Sequence, residues 1–351
     1  MQKKIIALAV AAAFSAPAFA DVTANGIVDA AIISASGSGQ KSDMIAYSGG
    51  LSTSRLSVTA TEGLDNGWTA IGVVEYGIDT QDNGSTLTAR KKMLAVAGDF
   101  GTVATGYLQT TGYDLAVKFD PTAGSAVSPL QNVTKDAVFL MGTVAEGARA
   151  ERAVAYISPK FAGAFTAAVN YSTAMVSAAG GNALGNLTQT ADTKHSAFLA
   201  SLNYEQGPLA VGGAYATLTA AGSEAAKEYM FGASYDLGAA KLLGTYQSRA
   251  LTGGATDKAY SFSAVVPAGA GAVVASYAAN KMEAASSSAT SLTLAYLQNL
   301  SKTVTGYAAY SSVSQDAGTR AFSVASGALS ATSLDLGGSS SLVAVGLRKK
   351  F

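Results

Sequence analysis

Residues that could make or break bonds are scarce in this chain of 351 residues. It has one histidine, His195, and no cysteine. Without cysteine there is no disulfide scaffold and no thiolate metal site. A single histidine leaves little material for His-rich metal sites or His-based triads. No base stands in a plausible relation to a serine nucleophile. His195 precedes Phe198 and Leu199 and reads as a residue at a strand mouth. The sequence therefore predicts no enzyme, no metal and no cofactor. Fixed charge is the remaining chemistry. Asp114, Asp120, Asp136 and Glu146 fall close together with Lys118 and Lys135, and Arg90, Lys91 and Lys92 are consecutive.

The elements that must hold these charges are read from composition first. Charged residues are 13% of the chain, against about 25% in an ordinary soluble domain. Apolar residues are 49%, and Lys+Arg and Asp+Glu number 23 each. A nucleic-acid binder would carry a basic excess, and a disordered polyelectrolyte would carry far more charge.

Residues 1–20 read as a cleaved signal peptide. Lys3 and Lys4 form the charged region, Ile5 to Phe14 the apolar one, and Ala18-Phe19-Ala20 the cleavage site. That apolar run is about half the ~20 residues a spanning helix needs. The mature chain would begin at Asp21 and leave the cytoplasm. Ser263 to Ala279 is the nearest other approach to a membrane helix, but Pro267 and Gly269 interrupt it. It reads as two strands and a turn.

Helical periodicity is poor elsewhere. Segments of about ten residues rich in Val, Tyr, Thr and Ala recur between turn signals. Short turns fall near residues 65, 99, 160, 207, 237, 268 and 300, and long connections lie at 36–50, 110–148, 173–192 and 314–339. Seven turns on one side, with both termini there, require eight loops on the other. The count predicts an all-β fold: a 16-stranded antiparallel transmembrane β-barrel with short turns at one end and long loops at the other. A β-sandwich would bury its aromatics mid-strand. A β-solenoid would show a shorter and more regular period.

Alternation adds detail. Leu56, Val58 and Ala60 alternate with Arg55, Ser57 and Thr59, and Trp68 to Ile78 alternate with Thr69 to Asp79. Arg55 and Glu75 then face the lumen, because a charge on the lipid face near the midplane costs ~2–4 kcal/mol. Arg90, Lys91 and Lys92 cannot all share one face; one or two must face inward and the remainder must snorkel or lie near an interface. Arg149 and Glu151 share a parity read as lumen-facing, with Arg152 opposite. Tyr171, Tyr204, Tyr235, Tyr277 and Phe351 are expected at strand ends, where aromatic girdles lie.

From Asp21 to Phe351 the chain resembles the Gram-negative general porins of the betaproteobacterial type. The resemblance is carried by VTANGIVDA at Val22 to Ala30, SGGLSTSRLSVTATEGLDNGW at Ser48 to Trp68, GDFGTV at Gly98 to Val103 and AVAYISPKFAG at Ala153 to Gly163. GASYDLGAAK at Gly232 to Lys241, the hairpin at Val265 to Tyr277 and the ending GLRKKF extend it. It implies a homotrimer in the bacterial outer membrane that passes small hydrophilic solutes and ions by diffusion. It implies contacts with lipid, lipopolysaccharide and the assembly machinery, for which Phe351 would be the terminal signal. It also implies that the third long loop, here about 110–148, folds inward and sets carboxylates against wall cations. Asp114, Asp120, Asp136 and Glu146 are the candidates on the loop. Arg55, Glu75, Arg90, Lys91, Lys92, Arg149 and Glu151 are the candidates on the wall. Asn132-Val133-Thr134 and Asn186-Leu187-Thr188 match a glycosylation pattern that has no meaning in that compartment.

The chain departs from the pattern twice. Ala155-Tyr156-Ile157 and Gly106-Tyr107-Leu108 stand where relatives often carry a wall arginine. The expectation is a weak charge preference. A porin adapted to one solute class, or a non-conducting structural or receptor barrel, is the alternative. An enzyme in a barrel would need a positioned Ser or Asp near His195.

Overall fold

The computed structural model describes residues 21–351 apart from 38–39, 42–43, 83–86, 135–138, 142–145, 178–195, 221–222, 252, 284, 319–321 and 325–336. The signal-peptide reading, His195, Asn186, Asp136 and Lys135 lie outside the described residues, as does most of 173–192.

Sixteen antiparallel strands close into a barrel. They are β1 (Asp21–Gly37), β2 in three pieces (Gln40–Lys41, Ile45–Ser48 and Arg55–Gly63), β3 (Thr69–Gly77), β4 (Thr88–Gly98) and β5 (Gly101–Gln109). After two helices follow β6 (Glu146–Ile157), β7 (Phe165–Ser177), β8 (Ser196–Gln206), β9 (Leu209–Ala220) and β10 (Ser223–Asp236). The rest are β11 (Lys241–Leu251), β12 (Thr256–Ala268), β13 (Gly271–Met282), β14 (Ser287–Asn299), β15 (Val304–Gln315) and β16 (Ser339–Lys350). Each pairs with its sequence neighbours, and β1 closes on β16 from Ile27↔Lys350 to Gly37↔Ser340. Closure leaves no open sheet edge, the condition for strands to cross a bilayer. All seven short turns join the strands the spacing assigns to them, and Pro267 lies in β12 beside its turn.

The loops on the other side vary widely in length. Residues 221–222, 252–255 and 283–286 are the whole connections after β9, β11 and β13. Chain there is spent on strand. β9 to β14 run 11–14 residues, at or beyond the upper end of the ~9–11 a tilted strand needs to cross. The extra pairs satisfy backbone groups that a longer loop would leave to water.

Strand length also moves two aromatics. Tyr204, Tyr235 and Phe351 stand at turn-side strand ends as expected, but Tyr171 and Tyr277 lie six residues into β7 and β13. They join Tyr229, Tyr246, Tyr260 and Tyr310, on the outward parity of their strands, in a second ring. Five to eight residues of tilted strand separate the two rings, roughly 13–20 Å. Aliphatic residues such as Leu202, Val211, Val273 and Leu294 fill the band between them.

The two helices are α1 (Thr111–Phe119) and α2 (Pro129–Thr134). Thr110 caps α1 by accepting from the Tyr113 N–H. Asp114 in its first turn and Lys118 in its last suit the helix dipole. Both helices lie inside the barrel: α1 against β6 to β11, most closely β8, β9 and β10, and α2 against β12 to β15.

Candidate functional site

The charged wall is built on β2 to β6. Arg55, Ser57 and Glu75 sit on the inner parity, opposite exposed Leu56, Val58 and Val74. Between β3 and β4 the register slips: Glu75 opposes Lys91, while Tyr76 opposes Ala89. Arg90 is therefore the extra residue of a β-bulge. A bulge re-aims side chains, and here it lets two consecutive cations approach one carboxylate. Arg90 Nε donates to Glu75 Oε1 at 2.8 Å, and Arg55 Nε lies 3.9 Å from Glu75 Oε2. Arg149 reaches across the end of β5, donating to the Arg90 carbonyl at 2.8 Å and to the Ala148 carbonyl at 2.8 Å. Its guanidinium lies 5.0 Å from the Tyr113 ring centroid.

Beside these cations, α1 presents Asp114. It is exposed, accepts from the Gln109 amide, and feels the positive charges of Lys91 and Arg149. Four cations (Arg55, Arg90, Lys91, Arg149) thus stand with two carboxylates (Glu75, Asp114), a local balance of +2. In a narrow, low-dielectric surround such a balance acts on passing ions far more strongly than on an open surface.

The segment carrying Asp114 is stitched to the opposite wall. Leu115, Phe119, Val127, Leu130, Val133, Phe139, Leu140 and Met141 are all buried to 2% exposure or less. Full burial of each such side chain is worth ~1.5–3 kcal/mol. Two glycines admit them. A Cβ on Gly232 would meet Phe119 Cδ2 at 2.1 Å, and one on Gly212 would meet Leu115 Cδ1 at 2.4 Å.

Backbone groups that leave regular structure here find side chains of the wall. The Thr111 N–H donates to Asn170 Oδ1 at 2.7 Å, Asn280 donates to the Val133 carbonyl at 2.6 Å, and Thr293 donates to the Val127 carbonyl at 2.8 Å. Glu228, fully buried, accepts the Leu140 and Met141 N–H groups at 2.6 and 3.0 Å. Lys118 Nζ bridges Glu205 and Asn203 at 2.7 and 2.8 Å. Each buried polar group left unmade would cost ~1–3 kcal/mol, so the contacts select one position for the segment.

The sequence readings fare unequally here. Asp120 does not line the lumen. It is buried, and its two oxygens accept from the Thr122 N–H and hydroxyl, the Gly124 N–H and the Ser128 hydroxyl at 2.5–2.9 Å. It ties the turn after α1. Lys92 faces outward, sharing parity with Leu94, which is 60% exposed, and its ammonium lies 5.7 Å from the Tyr107 ring centroid. Glu151 is exposed where alternation fails: Ala150 and Ala153 are both fully buried, and Arg152 has φ +46°. Strict parity therefore cannot place it beside Arg149. Glu146 opens β6 opposite Ser177, and its side chain lies outside the described residues. Asn132 is inside the barrel, donating to Ser291 and Ser311 at 3.1 Å.

One cluster has no counterpart in the sequence reading. β2 departs from β1 between Ser48, opposite Ala30, and Arg55, opposite Ile27. Seven steps on β2 match three on β1, so four residues are extra. The excursion packs on fully buried Asp29, which accepts from the Leu51 N–H at 3.1 Å and the Tyr307 hydroxyl at 2.6 Å. Arg348 donates to Ser52 at 3.0 Å. The signal available in advance was Asp29 itself, a carboxylate among apolar residues on the inward parity of β1.

The chain matches the Gram-negative porin family over residues 7–318. No curated protein sequence matches it significantly. Among solved structures it is similar to an anion-selective porin from Comamonas acidovorans, at 26% identity and TM-score 0.78, over 95% of this chain and 100% of that one. OmpT of Vibrio cholerae, at 17% identity and TM-score 0.64, covers 97% of this chain and 100% of that one. OmpF of Salmonella typhi, in a complex with daunomycin, is 14% identical with TM-score 0.64 over 94% and 97%. These last two share the fold.

Proposed function

The chain belongs to the Gram-negative porin family and forms an outer-membrane channel for passive diffusion; from that premise we propose that it is a trimeric pore for small hydrophilic solutes with a weak preference for anions. The observation that carries the preference is the convergence of Arg55, Arg90, Lys91 and Arg149 on one wall, with Asp114 beside them. Glu75 sits among them and neutralises part of the field. One inward wall position that the family resemblance would fill with arginine holds Ala155 instead, while Tyr107, at the other, lies on the outward parity beside Lys92. The similar Comamonas porin is anion-selective by its description. The same sign with smaller magnitude is the expectation for this chain. The segment at 110–148 acts as the constriction because its described helices lie inside the barrel against β6 to β15 and carry Asp114 to the charged wall.

Trimer formation is supported by the outer surface. β16, β1 and β2 present Val343, Val345 and Leu347, Val28 and Ile32, and Leu56 and Val58 outward, without the tyrosines that ring β7 to β15. Aromatic side chains favour the membrane interface, so an aliphatic sector that lacks the second, loop-side tyrosine ring suits contact with two further copies. Cleavage after Ala20 is supported by the leader pattern of Lys3, Lys4, the apolar run Ile5 to Phe14 and Ala18-Phe19-Ala20. Phe351 would serve in assembly; its backbone is tied to Gly26 in β1 at 3.0 and 3.2 Å.

The test is single-channel recording of the refolded mature chain in a planar bilayer under a salt gradient. Openings in groups of three with a small anion-favouring reversal potential are expected. A cation-favouring potential would overturn the electrostatic reading, and insertion without conductance would overturn the channel itself.

A further inference from the structure

The row of lumen cations does not end at Arg55. Arg348 lies on the inward parity of β16 with Leu342 and Ala344, while Val343, Val345 and Leu347 are exposed on the other face. It is half-buried, and its charge is felt by Arg55 on one side and by Lys350 on the other. Arg55 in turn feels Arg90, and Arg90 acts on Arg149. The cations thus continue around the wall from β6 to β16.

The natural counter-ion of Arg348 is Asp29. The two are directly opposed across β1 and β16. Cβ atoms in such a pair stand ~4.5–5.5 Å apart, and opposite charges there ordinarily attract one another. Here no ion pair forms: no carboxylate lies within 4.0 Å of Arg348 among the described residues. Its Nη1 donates to the Ser52 hydroxyl at 3.0 Å instead, and its Nε has no hydrogen-bond partner among the described residues. The carboxylate is already engaged. Asp29 Oδ2 accepts from the Leu51 N–H at 3.1 Å, and Oδ1 accepts from the Tyr307 hydroxyl at 2.6 Å. The excursion of β2 brings Leu51 there by lying flat on the inner wall. A Cβ on Gly50 would collide with the Tyr307 hydroxyl and would meet Ala31 Cβ at 3.0 Å. Two donors and the covering backbone leave Asp29 fully buried and closed to the guanidinium.

We propose that Arg348 is a specificity-determining residue of the pore, and that Tyr307 is a positioning residue that keeps it a lumen charge by occupying the carboxylate that would neutralise it. The inference rests on the anion preference proposed above. Without the Tyr307 hydroxyl, Oδ1 of Asp29 opens toward β16. Arg348 then turns from Ser52 to the carboxylate, and the resulting pair presents no net charge to a passing ion.

The experiment measures the reversal potential of the refolded trimer in a planar bilayer at low salt, for the native chain and four variants. Tyr307→Phe changes no formal charge. It should still lower the anion-to-cation permeability ratio about twofold, the weight of one unit charge across ~10 Å of water. Arg348→Gln should lower the ratio by the same factor. Tyr307→Phe added to Arg348→Gln should lower it no further, because the cation that Tyr307 protects is gone. Arg348→Lys should keep the native ratio. Stepwise openings in each case show that the variant has folded. A tyrosine that merely packs would move the unfolding midpoint and leave the potential where it was. An unchanged potential in Tyr307→Phe would therefore overturn the positioning role, and so would fully independent shifts in the double variant. An unchanged potential in Arg348→Gln would overturn both roles. The native ratio tests the anion preference itself, whereas the differences between variants test this inference whatever the native sign.

Discussion

Adding one methyl group at Gly232 tests whether the inward segment is held by shape. The position faces inward on β10, and a Cβ there would lie 2.1 Å from Phe119 Cδ2 and 2.7 Å from Cγ and Cε2. Ordinary carbon contacts are ~3.5–4.0 Å, so the ring must retreat by about 1.5 Å. Phe119 is fully buried and ends α1, with Leu115 seated against Gly212 one turn earlier. The ring cannot rotate out of the way, so the helix lifts off the wall. Overpacking of this kind costs ~1–3 kcal/mol. Lifting α1 displaces Asp114 from its seat beside Gln109, Lys91 and Arg149 and pushes the helix into the open lumen. Gly232→Ala should therefore lower both the thermal unfolding midpoint in detergent and the single-channel conductance. Phe119→Ala alone should cost ~3–5 kcal/mol through the cavity it leaves. Combined, the two should cost less than their sum by ~0.5–3 kcal/mol, because the methyl occupies space the ring has vacated. Strict additivity in stability, or an unchanged conductance in Gly232→Ala, would refute the reasoning.

Charge substitutions on the wall should act on selectivity rather than on stability. Glu75→Gln removes the carboxylate between Arg55 and Arg90 and should move the reversal potential further toward anions. Arg149→Gln removes a cation facing Asp114 and should move it the other way. Both shifts should shrink in molar salt, where the Debye length is about 3 Å. Asp120→Ala strips four hydrogen bonds from the turn after α1. It should lower the unfolding midpoint and raise open-channel noise while leaving selectivity in place; a selectivity change as large as that of Arg149→Gln would return Asp120 to the lumen. Glu228→Gln keeps one acceptor for the Leu140 and Met141 N–H groups but loses the charge. Increased cleavage of the 139–141 region by externally added protease would report the loosened return of the segment.

Much of the barrel was legible because turns and alternation are local properties. Gly63 to Gly67, Asp236 to Gly238 and Asn299 to Ser301 announce hairpins by residue type alone, and the count of such turns determines an even strand number. The inward parity of Arg55 and Glu75 was equally local, since a charge cannot face lipid near the midplane. Alternation blurs on the far wall for a reason only the packed molecule supplies. In β8 to β10 the inward residues Leu199, Leu218 and Met230 are as apolar as the outward Phe198, Leu202 and Phe231. The inward segment covers that wall, so both faces of these strands meet hydrocarbon or protein rather than water.

The tertiary structure alone decided where individual charges point. Arg90 and Lys91 both reach Glu75 because the register slips by one residue between β3 and β4. Parity puts Lys92 outward beside Tyr107. Asp114 and Asp120 are six residues apart on the same segment, yet one meets the lumen and the other is consumed by its own turn. Asp29, Tyr307 and Arg348 come together from opposite ends of the chain only when β16 closes on β1. Strand number, turn positions and lipid-facing residues follow from local pattern, because each is fixed by a few neighbouring residues and the bilayer. Bulges, the seat of the inward segment and the charge balance of the lumen depend on long-range register, and register is settled when the barrel closes.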